Sequence, residues 1–231
     1  MRALPIRKQR RACYHVVMNA TTPPAEGVIR FRLEHTNGPL PGWAEPGEIL
    51  AWFRRCQALG GIGRYPPERY QGAAFGNISQ RGPEGFLITG TQTGGQQALT
   101  PGDIAWVKYC DIQENRVVSQ GPARPSSESM THGQLYTLDA GVGFVIHIHD
   151  PLLWRQADRL ELPVTDPAAE YGTPAMAREV ERLMAMPATR EGGIFAMGGH
   201  EDGLVIFGTD AEQAGLRLLA LYRRACARAT S

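Results

Sequence analysis

The sequence predicts a fold of the α/β class, formed by a single domain over residues 45–231. Segments whose apolar residues recur every three or four positions, as in helices, alternate with short apolar runs typical of strands. The chain has 231 residues, of which 42% are hydrophobic, and this is enough to bury a sizeable core. No repeat, low-complexity segment or linker divides the stretch from residue 45 onward. These observations favour one domain over two smaller ones.

Residues 1–44 are predicted to form an N-terminal extension that is partly disordered. Within it, residues 28–33 alternate apolar and basic side chains, which indicates one half-exposed strand. The first eleven residues are basic but lack the apolar core of a secretion signal. No apolar run has the length of a membrane span. We therefore expect a cytoplasmic protein.

Charge and cysteine content argue against several classes of function. The formal net charge of +1 offers no basis for binding nucleic acid or an acidic membrane surface. The four cysteines are scattered without a Cys-x-x-Cys pair, so neither a zinc knuckle nor a disulfide framework is predicted. Reduced thiols agree with the expected cytoplasmic location.

Four helices are predicted from apolar spacing and from the residues at their ends. The first follows Pro46 and stops at Gly60 and Gly61, because proline is favoured inside a helix start and glycine just past its end. A capping box of Thr209 and Glu212 is expected to begin the last helix. The predicted helices cover residues 48–59, the stretch from Ser126 or Ser127 to residue 138, residues 173–186 and residues 209–227.

Six strands are predicted within the domain. Each is a short run of apolar residues bounded by turn-forming residues. The last two are joined by a turn that contains Asp202 and Gly203, a pair that favours a hairpin. The predicted strands cover residues 86–89, 104–109, 116–119, 143–149, 194–197 and 204–207.

The fourth predicted strand ends in two histidines, His147 and His149. Residues two apart on a strand point to the same face, so both imidazoles are expected close enough to bind one metal ion. A third histidine, His200, lies in the hairpin turn, and Glu128 lies at a helix start. Three histidines with an open position are typical of a catalytic zinc, and a nearby carboxylate can transfer a proton. The alternative is a pair of structural histidines and a carboxylate that only stabilises a helix N-terminus.

Further polar residues lie near these positions in the sequence. Glu201 and Asp202 either orient the third histidine or shape the hairpin turn. His132, one turn further along its helix than the glutamate, either affects that carboxylate or makes a structural hydrogen bond. The loop of residues 90–95 is rich in glycine and threonine and could direct backbone N–H groups toward an anion, although most such loops are turns.

Seven short motifs follow one another in a recognisable order. They are Gly-Asn-Ile-Ser-Gln-Arg at 76–81, Leu-Ile-Thr-Gly-Thr at 87–91, Leu-Thr-Pro at 99–101, Pro-Ser-Ser-Glu at 125–128, Val-Ile-His-Ile-His at 145–149, Tyr-Gly-Thr at 171–173 and Gly-His at 199–200. Together they resemble the class II aldolase/adducin-type family over roughly residues 46–228.

The resemblance implies a three-layer α/β/α fold with a mainly antiparallel central sheet, assembled as a homo-oligomer, usually a tetramer. It implies that His147, His149 and His200 bind Zn²⁺ or another divalent ion such as Mn²⁺, Co²⁺ or Fe²⁺. It also implies that Glu128 is the general acid/base and a further metal ligand. The residues implied to hold the substrate or its phosphate are Asn77, Thr91, Thr93, Gly94, Ser126 and Ser127.

The implied activity is that of a metal-dependent lyase. Such an aldolase cleaves or forms a C–C bond in a small ketose-like substrate, with or without a phosphate, through an enediolate held on the metal. A dehydratase or an epimerase acting on a sugar phosphate is an alternative, although the epimerases of this type carry aspartate at the position of Glu128. An iron-dependent oxygenase and a non-catalytic, adducin-like module remain further alternatives. The phosphate loop departs from the family pattern, because Gln92 replaces a usual glycine and the loop is one residue longer.

Overall fold

The computed structural model describes residues 26–229, and within this range the chain forms ten strands and six α-helices. The strands are β1 (Arg32–Asn37), β2 (Gly63–Arg64), β3 (Ala74–Phe75), β4 (Asn77–Arg81), β5 (Phe86–Thr89), β6 (Ile104–Asp111), β7 (Arg116–Gly121), β8 (Phe144–His149), β9 (Ile194–Ala196) and β10 (Gly203–Gly208). The helices are α1 (Gly47–Ala58), α2 (Ser129–Leu138), α3 (Pro151–Arg155), α4 (Pro174–Met184), α5 (Pro187–Gly192) and α6 (Ala211–Ala229). Among residues 26–229, no helix combines the length and apolarity that a membrane-spanning helix needs.

Eight of the strands form one large sheet, in the order β1-β7-β6-β5-β4-β8-β10-β9. All neighbouring pairs in it are antiparallel except β1 and β7, which run parallel at one edge. Strands β2 and β3 form a separate two-stranded ribbon. The large sheet is therefore mainly antiparallel, which confirms the predicted fold class.

Side chains of the sheet alternate between two apolar cores, one on each face. Ile146 and Ile148 of β8 lie in the core that helices α1 and α6 cover. Val145 lies in the opposite core, which helices α2 and α4 cover. Helices on both faces give the domain its three layers. Because of the two-residue period, His147 and His149 project to the same side as Val145.

The predicted helices agree closely with the structure where terminal residues give a clear signal. Helix α1 follows Pro46 and buries its apolar face, as expected. Helix α4 follows Thr173, whose side-chain oxygen accepts a hydrogen bond from the backbone N–H of Met176 at 3.3 Å. Strands β5, β6, β7, β8, β9 and β10 lie at the predicted places, with ends that differ by a few residues.

The strand predicted at residues 28–33 was wrong in position, because β1 covers Arg32–Asn37. Its parallel pairing with β7, together with a hydrogen bond from the backbone N–H of Arg32 to the carbonyl of Asn115 (2.8 Å), fixes its position. Strand β1 precedes residue 45 and belongs to the large sheet. The boundary between residues 44 and 45 stays a prediction, and residues 1–25, with their predicted disorder, lie outside the described residues.

Several short elements were not predicted. Strand β4 contains Asn77 and Ser79, polar side chains that are buried in the structure, so it lacks the apolar pattern of a core strand. Helices α3 and α5 have only five and six residues, too few for a helical period to be visible in the sequence.

The N-terminus of helix α6 is capped one residue later than the sequence indicated. Asp210 accepts a hydrogen bond from the backbone N–H of Gln213 at 2.8 Å, and the Gln213 side chain accepts one from the N–H of Thr209 at 2.9 Å. The predicted capping box of Thr209 and Glu212 is therefore wrong. Both pairs have the spacing of a capping box, and only the position of the helix start distinguishes them.

Substituting the capping residue should destabilise the fold. We expect Asp210→Ala to lower the free energy of unfolding by about 1 kcal/mol, because the N–H of Gln213 loses its acceptor. Glu212→Ala is the matched control and should cost less than about 0.5 kcal/mol, since only a helix-dipole contact is lost. Urea denaturation of both variants measures the difference. Equal losses would contradict the reassigned cap.

Candidate metal centre

The three predicted histidines meet at one end of strands β8 and β10. These strands pair antiparallel, with His149 opposite Gly203 and His147 opposite Val205, and His200 lies in the turn that leads into β10. One ligand nitrogen from each of the three histidines lies within 4.8 Å of the other two. The side chains are almost completely buried, with exposed fractions of 1%, 3% and 4% for His147, His149 and His200.

The two strand histidines direct the same ring nitrogen toward each other. The Nε2 atoms of His147 and His149 are 3.1 Å apart. The Nδ1–H of His147 donates to the carbonyl of Leu204 (3.0 Å), which leaves the lone pair on Nε2. On the other ring, Nδ1 of His149 is 2.6 Å from the Tyr65 hydroxyl. Two nitrogens that each bind one ion at about 2.0–2.1 Å lie roughly 3 Å apart, so the spacing would suit a shared metal.

His200 lies between two carboxylates. Its Nε2 is 2.9 Å from Oε2 of Glu26, and its Nδ1 is 3.3 Å from Oε1 of Glu128. The ring of Tyr171 stacks on the imidazole with centroids 4.5 Å apart. No pattern in the sequence pointed to Glu26 or Tyr65, because each is distant in the chain from the histidines and belongs to no metal-ligand spacing.

Glu128 stands just before helix α2, which begins at Ser129 rather than at the predicted Ser126 or Ser127. The Ser126 hydroxyl instead accepts a hydrogen bond from the backbone N–H of Glu128 at 3.2 Å. One carboxylate oxygen of Glu128, Oε2, accepts from the hydroxyl of Thr131 at 2.9 Å. The other, Oε1, is buried and has no hydrogen-bond partner among residues 26–229. That oxygen faces His200.

The electrostatics divide the histidines into two kinds. Burial lowers the pKa of His147 and of His149, so both imidazoles are neutral near pH 7. Burial also acts to lower the pKa of His200, but the carboxylates of Glu26 and Glu128 outweigh it and raise this pKa to about 10. For Glu128, burial acts in the opposite direction, and contact with His200 outweighs it and lowers the pKa to about 2. Glu128 is therefore ionised at neutral pH.

These residues fit a divalent metal ion. Nε2 of His147 carries a lone pair and lies 3.1 Å from Nε2 of His149, so one ion could bind both nitrogens. Two further buried atoms, Nδ1 of His200 and Oε1 of Glu128, lie 3.3 Å apart and have no hydrogen-bond partner besides this ion pair in the described part of the chain. Buried polar atoms without partners are rare and call for a missing ligand or ion. Three imidazole nitrogens and one carboxylate oxygen suit Zn²⁺, Mn²⁺, Co²⁺ and Fe²⁺.

The sequence comparison identifies the family. The model of the family described as class II aldolase and adducin N-terminal domain matches residues 65–228. The chain belongs to this family. A relative, the methylthioribulose-1-phosphate dehydratase of Gluconobacter oxydans (strain 621H), is 31% identical over 101 residues, which are 43% of this chain and 46% of that protein. The match thus spans less than half the length of that relative.

Solved structures of aldolases share the fold. L-fuculose-1-phosphate aldolase from Thermus thermophilus has a TM-score of 0.58 and 21% identity, and the match covers 79% of this chain and 93% of that one. A sugar-phosphate aldolase from Thermotoga maritima has a TM-score of 0.54 and 16% identity over 77% of this chain and 90% of that one. The predicted membership of the class II aldolase/adducin-type family is confirmed.

A pocket beside Glu128 contains most of the residues that the resemblance implied for substrate or phosphate binding. Asn77, Thr91, Gly94, Ser126 and Ser127 line it. Among the described residues that line the pocket, none is an arginine or a lysine. Two are acidic: Glu128 and Glu26, and the second of these contacts Nε2 of His200.

Asn77 and Thr93, both predicted to bind substrate, differ in their position relative to the pocket. Asn77 lies opposite His147 in the pairing of β4 with β8, and its Oδ1 is buried without a hydrogen-bond partner among the described residues. Thr93, in contrast, does not line the pocket, and its hydroxyl donates to the carbonyl of Gly90 at 2.7 Å. The structure thus places the amide of Asn77 at the pocket and the hydroxyl of Thr93 inside its own loop.

The departure from the family at Gln92 has a structural explanation. This residue has a φ of +61°, in the left-handed region that favours glycine. Its side chain compensates, because Oε1 accepts a hydrogen bond from the backbone N–H of Ala74 at 2.9 Å. The loop therefore keeps the backbone shape that glycine would give and adds an amide side chain at the edge of the pocket.

Glu201 and Asp202 shape the turn that holds His200. Asp202 is buried with a φ of +66° and forms an ion pair with Arg69 at 2.6 Å, while Glu201 accepts a hydrogen bond from the Tyr70 hydroxyl at 2.6 Å. The guanidinium of Arg69 also lies over the ring of Tyr65, 4.6 Å from its centroid. Both acids therefore join the histidine turn to the segment that carries Tyr65.

His132 takes part in a structural hydrogen-bond network behind the centre. Its Nδ1 is 2.7 Å from the hydroxyl of Ser79, which is also 2.7 Å from the hydroxyl of Tyr136. Burial lowers the pKa of His132 to about 3, so the ring is neutral. These contacts connect helix α2 to strand β4 and support the structural interpretation of this histidine.

The logarithm of the metal association constant should rise with pH with a slope of about one, because binding releases one proton. Without metal, His200 carries a proton at pH 7, because its pKa is raised to about 10, whereas His147 and His149 are already neutral. A metal ion displaces that proton, so the apparent association constant should rise about tenfold per pH unit between about pH 7 and 9. Competition with a chelator measures the slope. A slope near zero or near three would contradict this charge distribution.

Proposed function

We propose that this protein is a metal-dependent lyase that cleaves or forms a C–C bond in a ketose-like substrate, with Glu128 as the acid/base. One observation carries the proposal: the buried carboxylate of Glu128 directs Oε1 at His200, 3.3 Å from Nδ1, beside the cluster of His147, His149 and His200. Family membership supports it, because the family includes metal-dependent aldolases. The choice of Zn²⁺, Mn²⁺, Co²⁺ or Fe²⁺ belongs to the same proposal.

The metal ion, when bound, would polarise a substrate carbonyl and stabilise the negative charge that develops on its oxygen. Glu128 is the residue proposed to transfer the proton, because its carboxylate is ionised at neutral pH and its Oε1 faces the cluster. Thr131 holds one carboxylate oxygen of Glu128, which orients the other toward the cluster. A base held in this way needs little reorganisation to reach a C–H or O–H group next to a carbonyl.

The neutral polar groups that line the narrow pocket beside Glu128 favour a polar, hydroxyl-rich substrate. The Asn77 amide and the side chains of Ser126, Ser127 and Thr91 offer neutral hydrogen-bonding groups. The names of the aldolase structures and of the dehydratase relative all refer to sugar phosphates, so a phosphorylated ketose is the first substrate to test. The described lining contains no cationic side chain that could pair with a phosphate. Each phosphorylated substrate should therefore be tested beside its unphosphorylated form.

A dehydratase is the second candidate, and one observation favours it. The relative that is 31% identical is a methylthioribulose-1-phosphate dehydratase. The same metal and Glu128 could remove water from an intact carbon chain instead of cleaving it. The products separate the two reactions, because an aldolase releases an aldehyde fragment whereas a dehydratase releases a dehydrated chain of unchanged carbon number.

We also propose that the chain assembles as a homo-oligomer, with a tetramer as the expected state. Leu59 of the α1 C-terminus and Leu216 and Leu219 of helix α6 are exposed by 40%, 59% and 42%, and together they line an apolar groove. Burial of such a groove between copies would remove apolar surface from water. Light scattering after gel filtration measures the oligomeric state.

Metal content should depend on the strand histidines. We expect about one divalent ion per chain in the parent protein and little in His147→Ala, because a ligand nitrogen is lost. His35→Ala is the matched control, since His35 is half-buried and bonds to Ser119 far from the cluster. Elemental analysis after reconstitution measures the content. Iron together with oxygen-dependent activity would favour the oxygenase alternative, and no metal in any form would favour a non-catalytic module.

Turnover should depend on the carboxylate of Glu128. Glu128→Gln is expected to lower kcat about 10²–10⁴-fold, because the amide cannot accept the proton. Glu181→Gln, on the exposed side of helix α4, is the matched control and should leave kcat unchanged. The assay screens ketose phosphates, including L-fuculose 1-phosphate and methylthioribulose 1-phosphate, with product identification by mass spectrometry. Activity of Glu128→Gln equal to the parent would exclude the proposed base.

A further inference from the structure

The three histidines of the cluster share one arrangement: a protein group engages one nitrogen of each ring, and the other nitrogen faces the cluster. For His147 the group is the carbonyl of Leu204, and for His149 it is the hydroxyl of Tyr65. For His200 the group is the carboxylate of Glu26, whose Oε2 is 2.9 Å from Nε2. The remaining nitrogen of His200, Nδ1, is buried and faces Oε1 of Glu128, the further candidate metal ligand, at 3.3 Å.

Glu26 lies in a protected position despite its distance from His200 in the sequence. The side chains of Glu26 and His200 are only 8% and 4% exposed, although 174 residues separate them along the chain. The match to the family model begins at residue 65, so Glu26 lies outside the residues that the model matches.

Contacts with the α2–α4 side of the domain hold this segment in place. The backbone N–H of Val28 donates to the hydroxyl of Tyr171 at 3.2 Å, and Tyr171 is the residue whose ring stacks on His200. The guanidinium of Arg30 lies over the same ring, 4.6 Å from its centroid, and pairs with the carboxylate of Glu170. These contacts place the segment directly beside the imidazole.

The opposite side of the segment packs against the loop that contains Gln92. Gly27 has a φ of +72°, and a Cβ added there would lie 1.8 Å from Nε2 of Gln92. Glycine suits this position, because its φ lies in the left-handed region and a side chain here would have to displace the amide of Gln92. The preceding residue, Glu26, lines the pocket beside Glu128.

We propose that Glu26 is the positioning residue of His200 in the metal centre. Its carboxylate accepts the Nε2 proton, fixes the ring and its tautomer, and leaves the Nδ1 lone pair for the metal ion. Carboxylates that bond to the outer nitrogen of a metal-binding histidine orient the ring and raise its basicity, and their loss typically weakens metal binding about 10–100-fold. This inference rests on the metal centre of the proposed function and assigns to it a residue that lies before the range matched by the family model.

The test measures metal affinity of the full-length protein rather than activity. Glu26→Ala should weaken the pH-independent binding of Co²⁺ or Zn²⁺, which is the affinity for the protein with His200 unprotonated, about 10–100-fold, because His200 loses its outer partner. Competition with a chelator over a series of pH values gives this affinity separately from the proton competition at His200. Glu26→Gln should recover about half of that loss on a logarithmic scale, since the amide oxygen still accepts the Nε2 proton but through a neutral bond. Glu34→Gln is the matched control, because it removes an exposed carboxylate of strand β1 that bonds to Arg32 and not to an imidazole, and its affinity should equal the parent's.

The visible absorption of bound Co²⁺ distinguishes a positioning residue from a direct ligand. The bands of Glu26→Gln should match those of the parent, since the set of ligands is unchanged. Altered bands, together with a loss in Glu26→Gln as large as in Glu26→Ala, would show that the carboxylate binds the metal itself and would overturn the positioning role. Parent-like affinity in Glu26→Ala, with an unchanged melting temperature of the metal-free protein, would also overturn it. Absence of metal binding in the parent would instead overturn the proposed function, and the inference with it.

Discussion

The antiparallel pairing of β8 with β10 is the constraint on which the candidate centre depends. It places His149 opposite Gly203, so the turn before β10 brings His200 beside the two strand histidines. The same pairing lets the carbonyl of Leu204 accept from His147, which selects the ring nitrogen that faces the cluster. Gly203 permits the close approach, since a Cβ there would lie 3.0 Å from the carbonyl of His200 and 3.2 Å from Cε1 of His147.

Burial gives this arrangement its chemical character. In a site that excludes water, His147 and His149 stay neutral, whereas His200 and Glu128 stabilise each other's charged forms. Without an ion, the charge on His200 offsets the two carboxylates that touch it. A bound divalent cation would offset the charges of Glu26 and Glu128 instead, and His200 would lose its proton. The cluster is therefore folded around a positive charge in either state, which explains how two carboxylates can be buried beside it.

Two segments outside strands β8 and β10 contact the histidines of the centre. One supplies Tyr65, which contacts His149 and is joined to the histidine turn through the ion pair of Arg69 with Asp202. The other supplies Glu26, which contacts His200. Each segment thus engages one imidazole and is itself attached to a neighbouring element. Strands position the donor atoms, and these outer segments set ring orientation and tautomer, the property that decides which lone pair a metal meets.

The sequence by itself determined the α/β class, the helices with clear caps, the strand with its two histidines and the family to which the chain belongs. These features depend on local spacing, on terminal residues such as Pro46 and Thr173, and on short motifs, all of which can be read along the chain. Only the tertiary structure decided the position of β1, the cap of helix α6, the internal bond of Thr93, and the contacts of Glu26 and Tyr65 with the histidines. The physical reason is that these depend on pairing between distant segments, where a polar residue gains its function from the partner it meets and not from its neighbours in sequence.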